Sequence, residues 1–295
     1  MNGLIIKALS GFYYVSVEDA VYECKPRGVF RKNNDDIFVG DMVEISLLPQ
    51  DKGVIENVLP RKNFLSRPPV ANIDKMFIIS SYVTPAPNTV IIDTMTAIAE
   101  DKGIEPIIVF NKSDMGDFSQ IADIYRSAGF KVYIVSATNN IGIDELRAEL
   151  YNSVSVFTGN SGVGKSSILN ALFGKDFLKT GEVNEKLGRG RHTTRHTELF
   201  SIENGGFIAD TPGFSSISIE QSDVLYKENL QYAFREFEEH LGNCRFTSCS
   251  HTCEKGCAVI DAVNEGKISK SRFESYKMLY SELSKRSDWE IKKNK

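Results

Sequence analysis

Two short stretches, met in an unusual order, restrict this chain more than any other feature. "GNSGVGKS" at 159–166 fits the pattern G-x-x-x-x-G-K-[ST], between an apolar strand-like run, "VSVFTG", and a helical one, "KSSILNALFG". Its chemistry needs that setting. Glycines let successive backbone N–H groups turn toward an anion, and the following helix N-terminus adds a favourable dipole. Lys165 then reaches the β- and γ-phosphates, and the Ser166 hydroxyl ligates magnesium. The whole loop, Gly159, Asn160, Ser161, Gly162, Val163, Gly164, Lys165 and Ser166, with Ser167 behind it, is therefore the expected phosphate cradle. The second stretch, "NKSD" at 111–114, closes the buried-strand run "EPIIVF" and lies ahead of that loop. In most GTPases a tetrapeptide of this kind lies after it.

The tetrapeptide decides which base is read. A carboxylate at Asp114 accepts from both donors on the guanine Watson–Crick edge, and a site built on that pairing leaves polar groups unmatched when adenine enters. Asn111, Lys112 and Ser113 complete and support this turn, and "VSAT" at 135–138 adds Ser136 and Ala137 as a base loop one strand later. "DTPG" at 210–213 supplies the phosphate-sensing element: Asp210 would hold magnesium through water and the Gly213 amide would sense the γ-phosphate. Phe214 stands where Ras-like enzymes carry the glutamine that orients the attacking water, and it has no polar atom for that task. Replacements lie in "GRGRHTTRHTELF", in the position of a mobile switch. There Thr193 or Thr194 is the switch ligand of magnesium, with Thr194 assigned beside Ser166. His192 is the candidate catalytic residue with Lys165, and His196 is the weaker choice. Each histidine has a plainer reading as an exposed or RNA-facing side chain.

Written in the usual order, these motifs run from 159 to 222 and then from 71 to 150, which is a circular permutation. A parallel sheet tolerates it because loops at the carboxyl ends of the strands assemble the site, whatever the order of connection. Alternating strand and helix patterns across 67–222 predict such a sheet with helices on both faces. The first 66 residues read instead as short alternating strands separated by turn residues, an OB-like β-barrel. Arg27, Arg31, Lys32, Arg61, Lys62 and Arg67 there stand near Phe12, Tyr13, Tyr14 and Phe30, which read either as an RNA-stacking surface or as barrel core. "RPPV" at 67–70 is expected to stop regular structure at the boundary.

Residues 223–295 begin with a helical pattern, "YKENLQYAFREFEEHLG", and end in another, with Phe273, Tyr276, Tyr280 and Leu283 at packing spacing. Between them lies "CRFTSCSHTCEKGC". Cys244, Cys249, His251 and Cys257 suit one tetrahedral, structural zinc, because three thiolates and an imidazole leave no open position. Cys253 is a fifth donor, and spacing does not choose among the five. A redox switch is the alternative. Leaving "DTPGF", the chain passes directly into this region, so nucleotide state is expected to move it.

Composition sets limits on partners. A net charge of −4 argues against a uniformly basic nucleic-acid coat, so RNA contact would use local patches. No signal-peptide pattern and no apolar run of membrane-spanning length is read, and a cytoplasmic monomer without membrane attachment is expected.

Taken together, "NKSD", "VSAT", "GNSGVGKS", "GRHTT", "DTPGF" and C-x4-C-x-H-x5-C resemble the RsgA family of ribosome-small-subunit-dependent, circularly permuted GTPases along nearly the whole chain. The resemblance implies a multidomain fold: an OB-fold at 1–66, a circularly permuted α/β P-loop GTPase at 67–222 and a mostly helical zinc-binding domain at 223–295. It also implies zinc on Cys244, Cys249, His251 and Cys257 with Cys253 spare, a switch histidine at His192, and magnesium with GTP. The implied activity is GTP hydrolysis stimulated by the small (30S) ribosomal subunit during late maturation, with rRNA binding and release as a checkpoint. A guanine-nucleotide-controlled RNA-binding scaffold without catalysis is the alternative. An ATPase acting on DNA is disfavoured by "NKSD".

Overall fold

Period-two alternation in the first part builds five strands whose inward residues are buried and whose outward residues are not. The computed structural model describes residues 1–18, 20–28, 36–66, 69–83, 85–174, 197–210 and 225–285, the Asp210 side chain excepted. β1 (Asn2–Leu9), β2 (Phe12–Val17), β3 (Ala20–Pro26), β4 (Met42–Leu48) and β5 (Lys52–Val58) pair in the ring β1-β2-β3-β5-β4-β1, which closes a barrel. Ile5, Val15, Cys24, Val43, Ile45 and Ile55 fill it. Phe12, Tyr13 and Tyr14 are half-buried; Tyr13 packs against the core, and Lys25 Nζ sits 4.5 Å from the centre of the Phe12 ring.

β6 (Phe64–Ser66) ends just before "RPPV", but regular structure resumes inside that run. Pro69 opens β7 (Pro69–Ala71), which pairs antiparallel with β6. The first position of a short strand is one that a residue lacking an N–H donor can fill. Val70 also bridges to Val39, fastening this hairpin to the barrel.

The runs that lack alternation become strands buried on both faces, as parallel sheets require. β8 (Lys75–Ser81), β9 (Glu105–Asn111), β10 (Lys131–Ile134), β11 (Val154–Thr158) and β13 (Gly206–Asp210) are all parallel, in the order β10-β9-β8-β11-β13. β12 (Glu198–Ile202) is antiparallel to β13 across a turn in which Asn204 and Gly205 both take positive φ. α1 (Thr89–Asp101) and α2 (Ser119–Ser127) cover one face; α3 (Ile143–Ala148) and α4 (Lys165–Phe173) cover the other through Ile143, Leu146, Ile168 and Leu172. β12 also pairs with β1 at Lys7↔Glu198, so barrel and sheet form one eleven-stranded system.

The last part packs α5 (Ala258–Asn264) and α6 (Lys270–Ser284) around Phe234, Phe237, Phe273, Tyr276 and Leu283, and reaches Ala97 on α1. The helix expected over "YKENLQYAFREFEEHLG" is instead two 3-10 segments, Leu230–Ala233 and Arg235–His240, interrupted by extended backbone at Phe234. Tertiary contacts override local propensity here. Phe234 and Phe237 enter the core while Arg235 and Glu236 between them reach separate ionic partners. No helix among the described residues is long and apolar enough to cross a membrane.

Candidate nucleotide and metal sites

The phosphate loop follows β11 directly and is shaped by close backbone approach. Gly159 has φ 142°, and a Cβ there would collide with the carbonyl oxygen of Ile79 on the neighbouring strand. Gly164, at φ 94°, has no room for a Cβ beside Asn111 Nδ2. Lys165 Nζ donates to the carbonyls of Gly159 at 2.6 Å and Asn160 at 2.9 Å, so the ammonium is held over the loop, and partial burial pulls its pKa below the ordinary value. Ser161, Ser166 and Ser167 are exposed, whereas Val163 is buried among the residues of α3 and α4.

The base-reading turn is fastened to that loop. Asn111, 2% exposed, donates from Nδ2 to Val163 O at 3.0 Å and accepts at Oδ1 from Ala137 N at 3.2 Å. One amide therefore joins all three loops. Lys112 adopts a left-handed backbone (φ 65°) and donates from Nζ to Gly162 O at 2.9 Å and to Val83 O at 3.3 Å. The Ser136 hydroxyl donates to Asp114 Oδ1 and accepts from Asn139 N at 3.2 Å. That bond orients the Asp114 carboxylate, and the backbone of Ser113 is fixed by Val135 O at 3.1 Å. Asp210 ends β13, next to β11. Gly213, Phe214, His192, Thr193, Thr194 and His196 lie outside the described residues.

Cys244, Cys249, His251 and Cys257 bring their ligand atoms within 4.8 Å of one another and can hold a metal ion. His251 Nδ1 lies 3.5 Å from Cys244 Sγ and 3.4 Å from Cys257 Sγ. Its other nitrogen, Nε2, is 2.9 Å from Gln231 Oε1, an arrangement that protonates Nε2 and leaves Nδ1 free to ligate. Burial lowers the imidazole pKa, which favours that neutral form. Glu254 ties the intervening loop by accepting from Ser250 N and Thr252 N. Cys253 is exposed and outside the cluster. Gln231 was invisible to motif reading, because it lies in the 3-10 segment Leu230–Ala233, twenty positions from His251 and outside the cysteine motif.

Of the barrel's basic residues, Arg27 pairs with Glu56, Arg61 with the buried Asp41, and Lys62 with Asp74; Arg31, Lys32 and Arg67 lie outside the described residues.

Residues 58–220 match the family described as RsgA GTPase, and residues 2–55 match the RsgA N-terminal domain. The chain belongs to the RsgA GTPase family. Relatives named small ribosomal subunit biogenesis GTPase RsgA include one from Caldanaerobacter subterraneus subsp. tengcongensis, 44% identical over 286 residues covering 96% of each chain. Another, from Geobacillus sp. strain WCH70, is 43% identical over 291 residues, covering 97% of this chain and 98% of that one. The solved structure of YjeQ from Thermotoga maritima matches with a TM-score of 0.83 and 34% identity, covering 97% of this chain and 99% of that one. YloQ, described as a circularly permuted GTPase, matches with a TM-score of 0.81 and 34% identity, covering 97% and 96%. As an RsgA-family member the chain is a GTPase, and its strand order carries the permutation that the motif order required.

Proposed function

We propose that this chain binds and hydrolyses GTP in late maturation of the small (30S) ribosomal subunit, docking on its rRNA and leaving after hydrolysis. One observation carries the reading: Asn111 links Val163 of the phosphate loop and Ala137 of the base loop, so base and phosphate recognition form one hydrogen-bonded unit despite the reversed motif order. The relatives' name, small ribosomal subunit biogenesis GTPase, supports the partner.

In this reading Asp114 takes the guanine edge, with Asn111, Lys112, Ser113, Ser136 and Ala137 holding its loop. Backbone amides across 159–166 and the Lys165 ammonium bind the phosphates, with Ser167 behind them, and the Gly213 amide senses the terminal one. Ser166 and Thr194 would hold magnesium, with Asp210 acting through water and Thr193 beside them; the ion would supply neutralisation of the phosphates' negative charge. His192 positions the attacking water in place of a polar residue at 214. Cys244, Cys249, His251 and Cys257 would hold one structural zinc, since a closed set of three thiolates and an imidazole suits that ion. Residues 1–66, 67–222 and 223–295 are the three working units of a cytoplasmic monomer.

The test is steady-state GTP hydrolysis by the full chain alone, with small subunits and with large subunits, repeated with His192→Ala. Acceleration by small subunits only, lost in His192→Ala while nucleotide affinity stays unchanged, is the expected result. Flat turnover with tight GTP binding would refute the catalytic reading and favour a scaffold.

A further inference from the structure

Arg272, on α6, is 1% exposed, and no nucleotide or metal role accounts for it. A buried guanidinium is tolerated only when its donors are matched, so its partners define what it does. Nη1 donates to Asp93 Oδ1 at 2.8 Å and to Thr96 Oγ1 at 3.2 Å; Nε and Nη2 donate to Glu236 Oε1 and Oε2 at 2.7 and 3.0 Å. Phe234, Phe130 and Tyr125 surround the cation with ring centres at 4.6, 5.1 and 5.7 Å. Asp93 and Thr96 both belong to α1, so a side chain of the metal-cluster region anchors a helix of the nucleotide-binding region.

The far side of that helix meets the phosphate loop. At 3.6 residues per turn, Ile91 and Met95 project opposite Asp93 and Thr96. With Ile92 they line a cleft whose other wall is Gly159, Asn160 and Val163, and the Thr158 hydroxyl lies 3.9 Å from Met95 Sδ. Ahead of α1, Pro85 and Pro87 stiffen the connection, and the buried Ser81 hydroxyl donates to Pro85 O at 3.1 Å. The carbonyl of Val83 in this connection accepts from Lys112, which also grips Gly162. α1 is therefore a plate clamped between Arg272 and the floor of the phosphate loop.

We propose that Arg272 is a positioning residue for guanine-nucleotide binding, acting through Asp93 and Thr96 on α1 to hold both that floor and the Val83–Lys112 contact. The inference rests on the nucleotide reading above. It also assigns the metal-cluster region a standing role in the nucleotide site, beyond any contact with a partner. Arg235 provides the internal control: it ties the same two regions through Glu100 and Glu105 at 2.6 and 2.9 Å, but at the end of α1 remote from the loop.

Dissociation constants for fluorescent GDP and GTP analogues, with thermal unfolding of each protein, would be measured for the full-length wild type, Arg272→Met, Asp93→Asn and Arg235→Met. Asp93→Asn removes the charge that ties Arg272 to α1 while Glu236 still pairs the guanidinium, and serves if Arg272→Met does not fold. The Arg272 and Asp93 variants are expected to weaken affinity by about fivefold or more, the lower end of ordinary coupling between sites. Arg235→Met is expected to lower Tm while leaving affinity unchanged. Unaltered affinity in the Arg272 and Asp93 variants, with wild type binding normally, overturns the inference, as does an equal loss in Arg235→Met. A wild type that binds neither nucleotide overturns the underlying nucleotide reading instead.

Discussion

Gly164→Ala is expected to damage the nucleotide site in two separable ways. First, an L-residue at φ 94° pays backbone strain of about 1–2 kcal/mol that glycine does not. Second, the new methyl occupies the space of Asn111 Nδ2, so the amide must move and its bonds to Val163 O and Ala137 N are lost. Asn111 is almost fully buried, and orphaning polar groups there costs roughly 1–3 kcal/mol. The sum, about 2–5 kcal/mol, is a large part of an ordinary domain's stability. Urea unfolding of wild type, Gly164→Ala, Asn111→Ala and the double variant separates the contributions. Once Asn111 is truncated the clash is gone, so Gly164→Ala in that background should cost only the strain, about 1–2 kcal/mol. Additive losses would refute the contact as the origin of the effect and leave strain alone.

Glu149 joins Lys75, Lys131 and Tyr133 through bonds of 2.8–3.0 Å. Burial pushes its pKa up, but hydrogen bonds from Lys131, Lys75 and Tyr133 outweigh that and hold it at about 2, against an ordinary 4.5. Its folded-state pKa is depressed, so its contribution is complete above pH 4.5 and fades as pH falls toward 2. Glu149→Gln should flatten the stability profile in that window, as read by denaturant midpoints at stepped pH. Cys249→Ser should abolish bound metal in elemental analysis and lower Tm, whereas Cys253→Ser should retain one equivalent. Arg272→Ala should cost about 3–5 kcal/mol in denaturant unfolding by stranding Asp93 and Glu236, while replacing all three with apolar residues of similar volume should recover most of it.

The nucleotide chemistry was legible because it depends on short contiguous runs. Glycine spacing, "NKSD" and "VSAT" each encode a local geometry, and the order of the runs alone implied the permuted sheet. The metal donors were visible as well; spacing did not choose four of the five, the family resemblance did, and the structure brings the same four together with Cys253 exposed outside them. Arg272 escaped because a lone arginine on an amphipathic helix reads as a solvated residue, and its partners are 36 and 179 positions away. The Phe234 break was hidden for the same reason: the 3.6-residue pattern persists while distant partners decide the backbone.

The pairing of β1 with β12 bears on how parts of this chain would behave alone. β12 is the border of the nucleotide sheet, and a border strand presents unpaired N–H and C=O groups that can recruit a second chain. Here the barrel occupies that border, with Lys7 and Glu198 2.8 Å apart at the join. A fragment beginning after the barrel would lose this pairing at Glu198 and leave more of the β12 border open. Besides whatever it binds, the barrel thus covers part of its neighbour's edge, and such a fragment should self-associate more than the full chain at matched concentrations in sedimentation.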